Sequence, residues 1–308
     1  MADAISESIK EDSVYASRND HAVTNADDNV ATLDRLYSTH EEADTRIFVH
    51  LHHGIRHGNV KKAAILANDI DIIVIGIGLF QNLCKNGLQE LWICFGKGEK
   101  RRWMPIHLIF SAFGPHKSNA LLFFHAFSGC DSCSGMKGKG KKSFFCTWSV
   151  YEDVTPIFEK LSQCPKEINE DDFAILQQFT VYLYDKNSNT DNVDTARMTL
   201  FTQKNKEYNN IPPTQDALKM HVLRAAYQAG YIWGQALKPC PELPSPGDWG
   251  WKPGERGTWE ILWTKKEPIS EACKELRRCS CKNECKTCKC KQGFLPCTSL
   301  CSCSCQQT

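Results

Sequence analysis

Apolar residues at helical and strand-like spacings begin only after residue 37, and they predict where the ordered part of the chain lies. The first helix is predicted to begin at Ser38-Thr39, because Thr39 and Glu42 have the spacing of a capping box. Its apolar positions repeat at helical intervals: Ile47, Leu51 and Ile55. Residues 1–37 are polar, aperiodic and rich in Asp, Asn and Ser, so we expect a disordered leader without a strand.

Short apolar segments after this helix predict strands that alternate with further helices. The strand-like segments are residues 63–67, 91–95 and 103–106, and an apolar, β-branched run at 72–79 continues the first of them. The expected helices are residues 119–127, 171–184 and 214–236. This alternation predicts an α/β fold.

Shifts in composition and Pro/Gly-rich stretches divide the chain into five expected regions. After the leader come an α/β body at 38–150, a helical extension at 151–238, a Pro/Gly/Trp-rich linker at 239–272 and a cysteine-rich module at 273–308. The linker carries Trp249, Trp251, Trp259 and Trp263, which could stack on nucleic-acid bases, although packing against the body is the more ordinary role.

Charge and targeting signals narrow the classes of protein. The chain has 37 Lys and Arg against 36 Asp and Glu, which excludes a polycation or an acidic tail protein. The N-terminus has no apolar signal region, and the longest apolar stretch is too short to span a bilayer. We therefore expect a soluble intracellular protein with no membrane partner, whose thiols stay reduced.

Nine of the 17 cysteines lie in the last 30 residues, and their spacing indicates a metal cluster. They are Cys279, Cys281, Cys285, Cys288, Cys290, Cys297, Cys301, Cys303 and Cys305. Zinc prefers four thiolates, so nine sulfurs can serve about three Zn²⁺ ions only if three sulfurs each bridge two ions. A disulfide knot, or a site with fewer metals, is the alternative.

This spacing resembles the CXC domain of tesmin/TSO1-like proteins, a nine-cysteine module associated with zinc and DNA. The resemblance implies a nuclear protein that binds nucleic acid, with DNA as the expected form. Basic residues between and before the cysteines would then contact phosphates: Arg277, Arg278, Lys282, Lys286, Lys289 and Lys291.

Acidic residues form a second pattern, because several of them fall at the ends of predicted elements. Asp69 and Asp71 follow a predicted buried strand, Glu42 and Asp44 open a helix, and Asp131 follows another helix. Carboxylates at the carboxyl edge of a parallel sheet converge where α/β proteins bind ligands. Such a group is suited to Mg²⁺ or Mn²⁺ in phosphodiester hydrolysis.

The order of these motifs resembles flap-endonuclease-type (XPG-like) nucleases of the PIN-like superfamily. The resemblance implies a PIN-like, Rossmann-type body in which Glu42, Asp44, Asp69, Asp71 and Asp131 hold divalent metal ions. The glycine- and lysine-rich segment that follows resembles the element with which that family grips a duplex backbone: Lys137, Gly138, Lys139, Gly140, Lys141 and Lys142. Further carboxylates of these nucleases come from earlier strands, so we expect either a fragment of a longer product or an incomplete site.

These patterns support three hypotheses for the function of a chain that resembles transposon-related gene products. The first is a zinc-dependent nucleic-acid-binding protein with a nuclease-derived, inactive body. The second is an active metal-dependent, structure-specific endonuclease, and the third is a zinc-containing scaffold for protein interactions. Weaker signals have ordinary interpretations: the face made by His50, His53 and His57 as a solvated surface, Cys130 and Cys133 as buried thiols, and His125 as a structural residue.

Overall fold

The structure is a computed structural model that describes residues 15–18, 21–24, 36–202 and 210–264, and in the tail residues 279, 281, 285, 290, 297 and 301–303. Helices predominate over small sheets, so the predicted α/β class holds in the sense of a mixed α/β protein. The chain divides into two compact units. The first is formed by residues 1–126, 158–166 and 226–245, and the second by residues 127–157, 167–225 and 246–308. This division differs from the one expected from the sequence, which placed boundaries at 150 and 238.

An antiparallel hairpin near the N-terminus belongs to the first unit. Strand β1 (Tyr15–Arg18) pairs with strand β2 (His21–Thr24), with Tyr15 opposite Thr24. The prediction that residues 1–37 contain no strand is therefore wrong.

A three-stranded sheet organises the first unit. Strand β3 (Lys62–Ala67) is parallel to β4 (Glu90–Phe95), which is antiparallel to β5 (Arg102–Pro105). Ile65 lies opposite Ile93, and both side chains are buried. The three predicted strands are confirmed, with β3 ending just before Asn68.

Two helices flank strand β3 in sequence, and both depart from the predictions made for these residues. Helix α1 spans Ala43–Gly58 and helix α2 spans Ile70–Lys85. The apolar run at 72–79 therefore lies in a helix and does not extend the strand. Ten residues of α2 are buried, so its apolar side chains surround the helix and give no amphipathic period.

The first helix begins later than its capping-box spacing predicted. Its N-cap is Glu42, which makes no side-chain capping bond. The residues before it are held by contacts distant in sequence: the Thr39 N–H donates to the Pro239 carbonyl at 3.1 Å, and His40 Nε2 bonds the Lys238 carbonyl at 2.8 Å. These contacts take the place of a first helical turn.

The remaining helices follow in chain order and confirm the three predicted helical regions. They are α3 (Ile106–Phe127), α4 (Lys141–Val150), α5 (Thr155–Leu161), α6 (Glu170–Tyr184), α7 (Val193–Thr202) and α8 (Gln215–Ala226), and α8 continues as π-helical turns at Tyr227–Trp233. Helix α3 bends where Gly114, with φ of 74°, precedes Pro115. No helix within the described ranges is long and apolar enough to cross a membrane.

Aromatic rings form the centre of the second unit. The ring centroids of Phe127, Phe144 and Phe179 lie 5.7 to 6.2 Å apart. The predicted linker contains a short hairpin of β6 (Trp251–Pro253) and β7 (Trp259–Ile261). The tryptophans of this region differ in exposure, since Trp249 is buried whereas Trp263 is 72% exposed.

Alanine substitutions at two helical glycines of the first unit should change the free energy of unfolding in opposite directions. A Cβ at Gly78 would lie 2.7 Å from Leu122 Cγ, whereas the nearest atom to one at Gly54 would be Val60 Cγ2 at 3.5 Å. We expect Gly78→Ala to lower the free energy of unfolding by about 1–2 kcal/mol through overpacking. Gly54→Ala should raise it by about 0.5–1 kcal/mol. Chemical denaturation measures both, and a stabilised Gly78→Ala protein would contradict the close approach.

Candidate functional site

The C-terminal cysteines that the structure describes gather into one cluster. Five of them are buried and two are partly buried against that group: Cys279, Cys285, Cys290, Cys301 and Cys303, with Cys281 and Cys297. No disulfide bond joins any cysteine in the described part of the tail. The predicted ligands Cys288 and Cys305 lie outside the described residues, as do all six basic residues predicted around the cluster.

Six of these cysteines form two overlapping sets of four. One tetrad is Cys279, Cys290, Cys297 and Cys301, and the other is Cys279, Cys285, Cys297 and Cys303. The sulfur atoms of each tetrad lie within 4.8 Å of one another. Both tetrads include Cys279 and Cys297. A cluster with bridging thiolates requires sulfurs that belong to more than one set of ligands, and these two sulfurs meet that requirement.

Distances between the sulfurs fit tetrahedral zinc. A Zn–S bond of about 2.3 Å gives a sulfur–sulfur edge of about 3.8 Å, whereas a disulfide is about 2.05 Å long. The observed separations are 3.4 Å for Cys279–Cys285, 3.8 Å for Cys290–Cys301 and 3.8 Å for Cys285–Cys297. The clustered cysteines can therefore hold metal ions such as zinc.

Backbone contacts join the two ends of the cluster. The Cys279 N–H donates to Cys301 Sγ at 3.3 Å, and the Ser302 N–H donates to the Cys279 carbonyl at 3.1 Å. Burial, together with the neighbouring Cys303 thiol, raises the pKa of the Cys297 thiol. Gathered sulfurs resist losing protons until a cation neutralises the thiolates, so protons would compete with any metal ion that the cluster holds.

Three of the predicted acidic ligands meet in the first unit. Asp44 lies in the first turn of α1, Asp69 caps α2, and Asp71 lies in the first turn of α2. A carboxylate oxygen of each lies within 4.8 Å of the others. Asp69 is oriented by the Asp71 N–H, which donates to it at 3.0 Å. The group thus sits at the carboxyl end of β3, where its sequence position predicted it.

A buried histidine supports this acidic group. His125 Nε2 lies 2.8 Å from an Asp71 oxygen, and the histidine side chain is only 4% exposed. Its ring also packs 5.7 Å from the ring of Trp233. Because a carboxylate accepts, Nε2 is the nitrogen that carries hydrogen, and the contact fixes the direction of the Asp71 carboxylate.

Two other predicted acidic ligands are placed elsewhere. Glu42 is exposed at the start of α1 and is not a member of the acidic group. Asp131 is exposed in the loop after α3, and that loop belongs to the second unit. The acidic group in the described residues of the first unit therefore has three members where the resemblance implied five.

The glycine- and lysine-rich segment forms the loop that leads into α4. Gly140 is the N-cap of this helix, so Lys141 and Lys142 lie in its first turn. Lys141 Nζ donates to the Gly129 carbonyl and to Ser128 Oγ. Lys139 lies 4.8 Å from the centre of the Tyr184 ring. These contacts fix the position of the segment within the second unit.

A cavity of about 290 Å³ lies beside this segment, and no pattern in the sequence predicted it. Lys137, Arg197 and Arg224 line it together with the rings of Tyr184 and Trp263. No carboxylate is among its described lining residues. Burial lowers the pKa of Arg224 and raises the pKa of Tyr184 to about 12. At neutral pH the cavity therefore presents cations and an uncharged phenol.

The predicted histidine face of α1 gathers no metal-ligand group in the described structure. His50 is half-buried, and the rings of His53 and His57 contact each other with centroids 4.8 Å apart.

Comparisons of the chain with protein-family models, with curated proteins and with solved structures found no match.

Proposed function

We propose that this protein binds nucleic acid and depends on zinc for the fold of its C-terminal module. The observation that carries the zinc part is the pair of cysteine tetrads that share Cys279 and Cys297. Thiolates would hold the ions, and zinc would supply structure there without taking part in a reaction. The tail, with seven Lys and Arg against two Glu after residue 272, would then contact phosphates, as the CXC-like spacing implies.

The glycine- and lysine-rich segment supports the nucleic-acid part of the proposal. Lys137 and Lys142 are exposed, and the helix N-terminus at Gly140 favours anions in the same place. The adjoining cavity adds Arg197 and Arg224 with two aromatic rings, a combination that suits phosphate and base contacts. DNA is the expected partner and the nucleus the expected location.

Salt-dependent DNA binding tests this proposal. We expect Lys137→Gln/Lys142→Gln to weaken binding several-fold and to reduce the salt slope by about two, since each phosphate contact contributes about 0.9. The control is Lys85→Gln/Lys166→Gln, which removes the same charge from two other exposed lysines. Fluorescence anisotropy with labelled duplex and single-stranded DNA at 50 and 200 mM salt measures both.

Two results would contradict the proposal in different ways. Equal losses in the two double variants would mean that only net charge matters. Zinc retention with no salt-dependent affinity for DNA would favour the scaffold hypothesis, in which the cysteine module has a structural role alone.

A second candidate function is metal-dependent nuclease activity, and the acidic group with its buried histidine favours it. Asp44, Asp69 and Asp71 would hold Mg²⁺ or Mn²⁺, which would activate water for phosphodiester hydrolysis. His125 would be a positioning residue that holds the Asp71 carboxylate. This candidate does not require Asp131, in contrast to the site that the resemblance implies.

Cleavage of flapped DNA with Mn²⁺ distinguishes the nuclease from the inactive body. For a nuclease we expect Asp69→Ala/Asp71→Ala, which removes two of the three proposed metal ligands, to reduce cleavage to background, while the exposed control Asp153→Ala keeps it. Identical background cleavage in the wild-type chain and the double variant would remove the enzymatic hypothesis. Asp131→Ala tests whether the resemblance to XPG-like nucleases extends to the second unit.

A further inference from the structure

Cys130 and Cys133 lie in the loop after α3 and face each other across a two-residue turn. The Cys130 N–H donates to the Cys133 carbonyl at 2.9 Å, and the Cys133 N–H donates to the Cys130 carbonyl at 3.2 Å. Residues that exchange both backbone bonds have Cα atoms about 5.5 Å apart. Disulfides need a Cα separation of about 4.4–6.8 Å, so the backbone already has the spacing of a bridge.

Both sulfur atoms also lie beside the same hydroxyl group. Ser132 Oγ lies 3.3 Å from Cys130 Sγ and 4.0 Å from Cys133 Sγ. Cys133 is 3% exposed, whereas Cys130 is half-buried. One sulfur can thus meet a solvent-borne reagent while the other is shielded behind it.

The turn is held in a rigid frame. Gly129 has φ of 107°, and a Cβ there would lie 2.8 Å from the Cα of Gly135, so the two ends of the loop touch through glycine backbone. The Gly129 carbonyl accepts from Lys141. Because the backbone is already fixed, a bond between the sulfurs needs only side-chain rotation and costs little conformational entropy.

We propose that Cys130 and Cys133 form a redox-active dithiol that glutathione disulfide converts to an intramolecular disulfide. The Cys130 thiolate attacks one glutathione sulfur, which forms a mixed disulfide and releases one glutathione thiolate. Cys133 then gives its proton to solvent and attacks the Cys130 sulfur, which forms the protein disulfide and releases the second glutathione. The two cysteines lose two electrons, and one glutathione disulfide is reduced to two thiols.

This site is separate from the zinc cluster and does not rest on the proposed function. Neither cysteine belongs to a group of three metal ligands within the described residues. Zinc needs four ligands, whereas a disulfide needs only two sulfurs. The turn is therefore better suited to a disulfide.

One tryptic peptide reports the reaction in the full, zinc-loaded chain. Cleavage after Lys117 and Lys137 gives a peptide of residues 118–137 that contains Cys130 and Cys133 and no other cysteine. The folded chain is incubated with glutathione disulfide, quenched in acid, denatured, alkylated, digested and analysed by mass spectrometry. We expect the bridged peptide to exceed the glutathione-bearing peptide about tenfold. Cys146 and Cys240, which are exposed, should be glutathionylated or alkylated.

Two variants test the order of the steps. Cys133→Ser should accumulate the mixed disulfide on Cys130, and Cys130→Ser should leave Cys133 alkylatable. A chain oxidised in denaturant should give less bridged peptide than the folded chain, because the turn is then absent. The proposal is overturned if folded wild-type protein keeps both cysteines alkylatable, if glutathione remains on Cys130, or if folded and denatured chains form equal amounts of the bridge.

Discussion

Replacing Cys279 with serine is expected to remove zinc from the C-terminal module and to unfold it. Cys279 belongs to both tetrads, and its backbone N–H and carbonyl also join the two ends of the cluster. A serine hydroxyl is a poor substitute for a thiolate on zinc. Structural zinc sites contribute about 10–16 kcal/mol of apparent binding energy, which becomes folding energy when no site exists in the unfolded segment.

The matched series compares shared and unshared sulfurs. Cys290→Ser affects one tetrad only and should keep part of the metal, whereas Cys240→Ser changes an exposed cysteine outside the cluster and should keep all of it. Zinc per chain is measured by elemental analysis, and order in residues 273–308 by hydrogen exchange. A Cys279→Ser chain with the wild-type zinc content would show that the tetrads are not the binding sites.

The sequence predicted this cluster because metal coordination leaves a short-range signature in cysteine spacing. The identity of the shared sulfurs was not predictable, since spacing does not say which thiols converge. Cys279 meets Cys297 and Cys301 from about twenty residues away. That convergence depends on how the chain between them folds.

The acidic group was also predictable only in part, because some of its contacts join residues that are distant in sequence. Asp69 and Asp71 could be placed because they follow a short strand and open the next element. His125, the partner of Asp71, is 54 residues away from it and carries no local sign of the contact. Asp131 was expected beside them both from its position at the end of a predicted helix and from the resemblance, but the structure places it in the second unit.

Errors in the predicted elements have physical causes in tertiary contacts. The run at 72–79 is buried on every side, and an apolar, β-branched sequence without a period fits a buried strand and a buried helix equally well. The start of α1 was misplaced because the carbonyls of Lys238 and Pro239 bind the preceding segment. The division into two units was not predictable, since each unit combines three separate stretches of chain.

His221 is expected to make the second unit sensitive to acid. Its side chain is buried on α8, where Nε2 donates to the Phe127 carbonyl at 2.8 Å and the ring stacks on Phe127 with centroids 5.2 Å apart. Burial lowers the pKa of His221 from 6.5 to about 4, and the nearby Arg224 guanidinium acts in the same direction. The folded protein therefore keeps this ring neutral over a range of pH in which the unfolded chain protonates it.

The sign of the effect follows from this difference in proton uptake. Stability from neutral His221 is complete above pH 6.5 and falls as the pH drops toward 4, by about 1.4 kcal/mol per pH unit and about 3 kcal/mol in all. His221→Gln keeps an N–H donor for the Phe127 carbonyl but does not titrate. Chemical denaturation measures the free energy of unfolding of both proteins at pH 7.5 and 4. Subtracting one value from the other removes the effects of acid on zinc binding and on carboxylates, because the two proteins share them. We expect the free energy of unfolding of the wild type, relative to that of His221→Gln, to be about 3 kcal/mol lower at pH 4 than at pH 7.5. The same relative value at both pH values would mean that His221 is protonated in the folded chain.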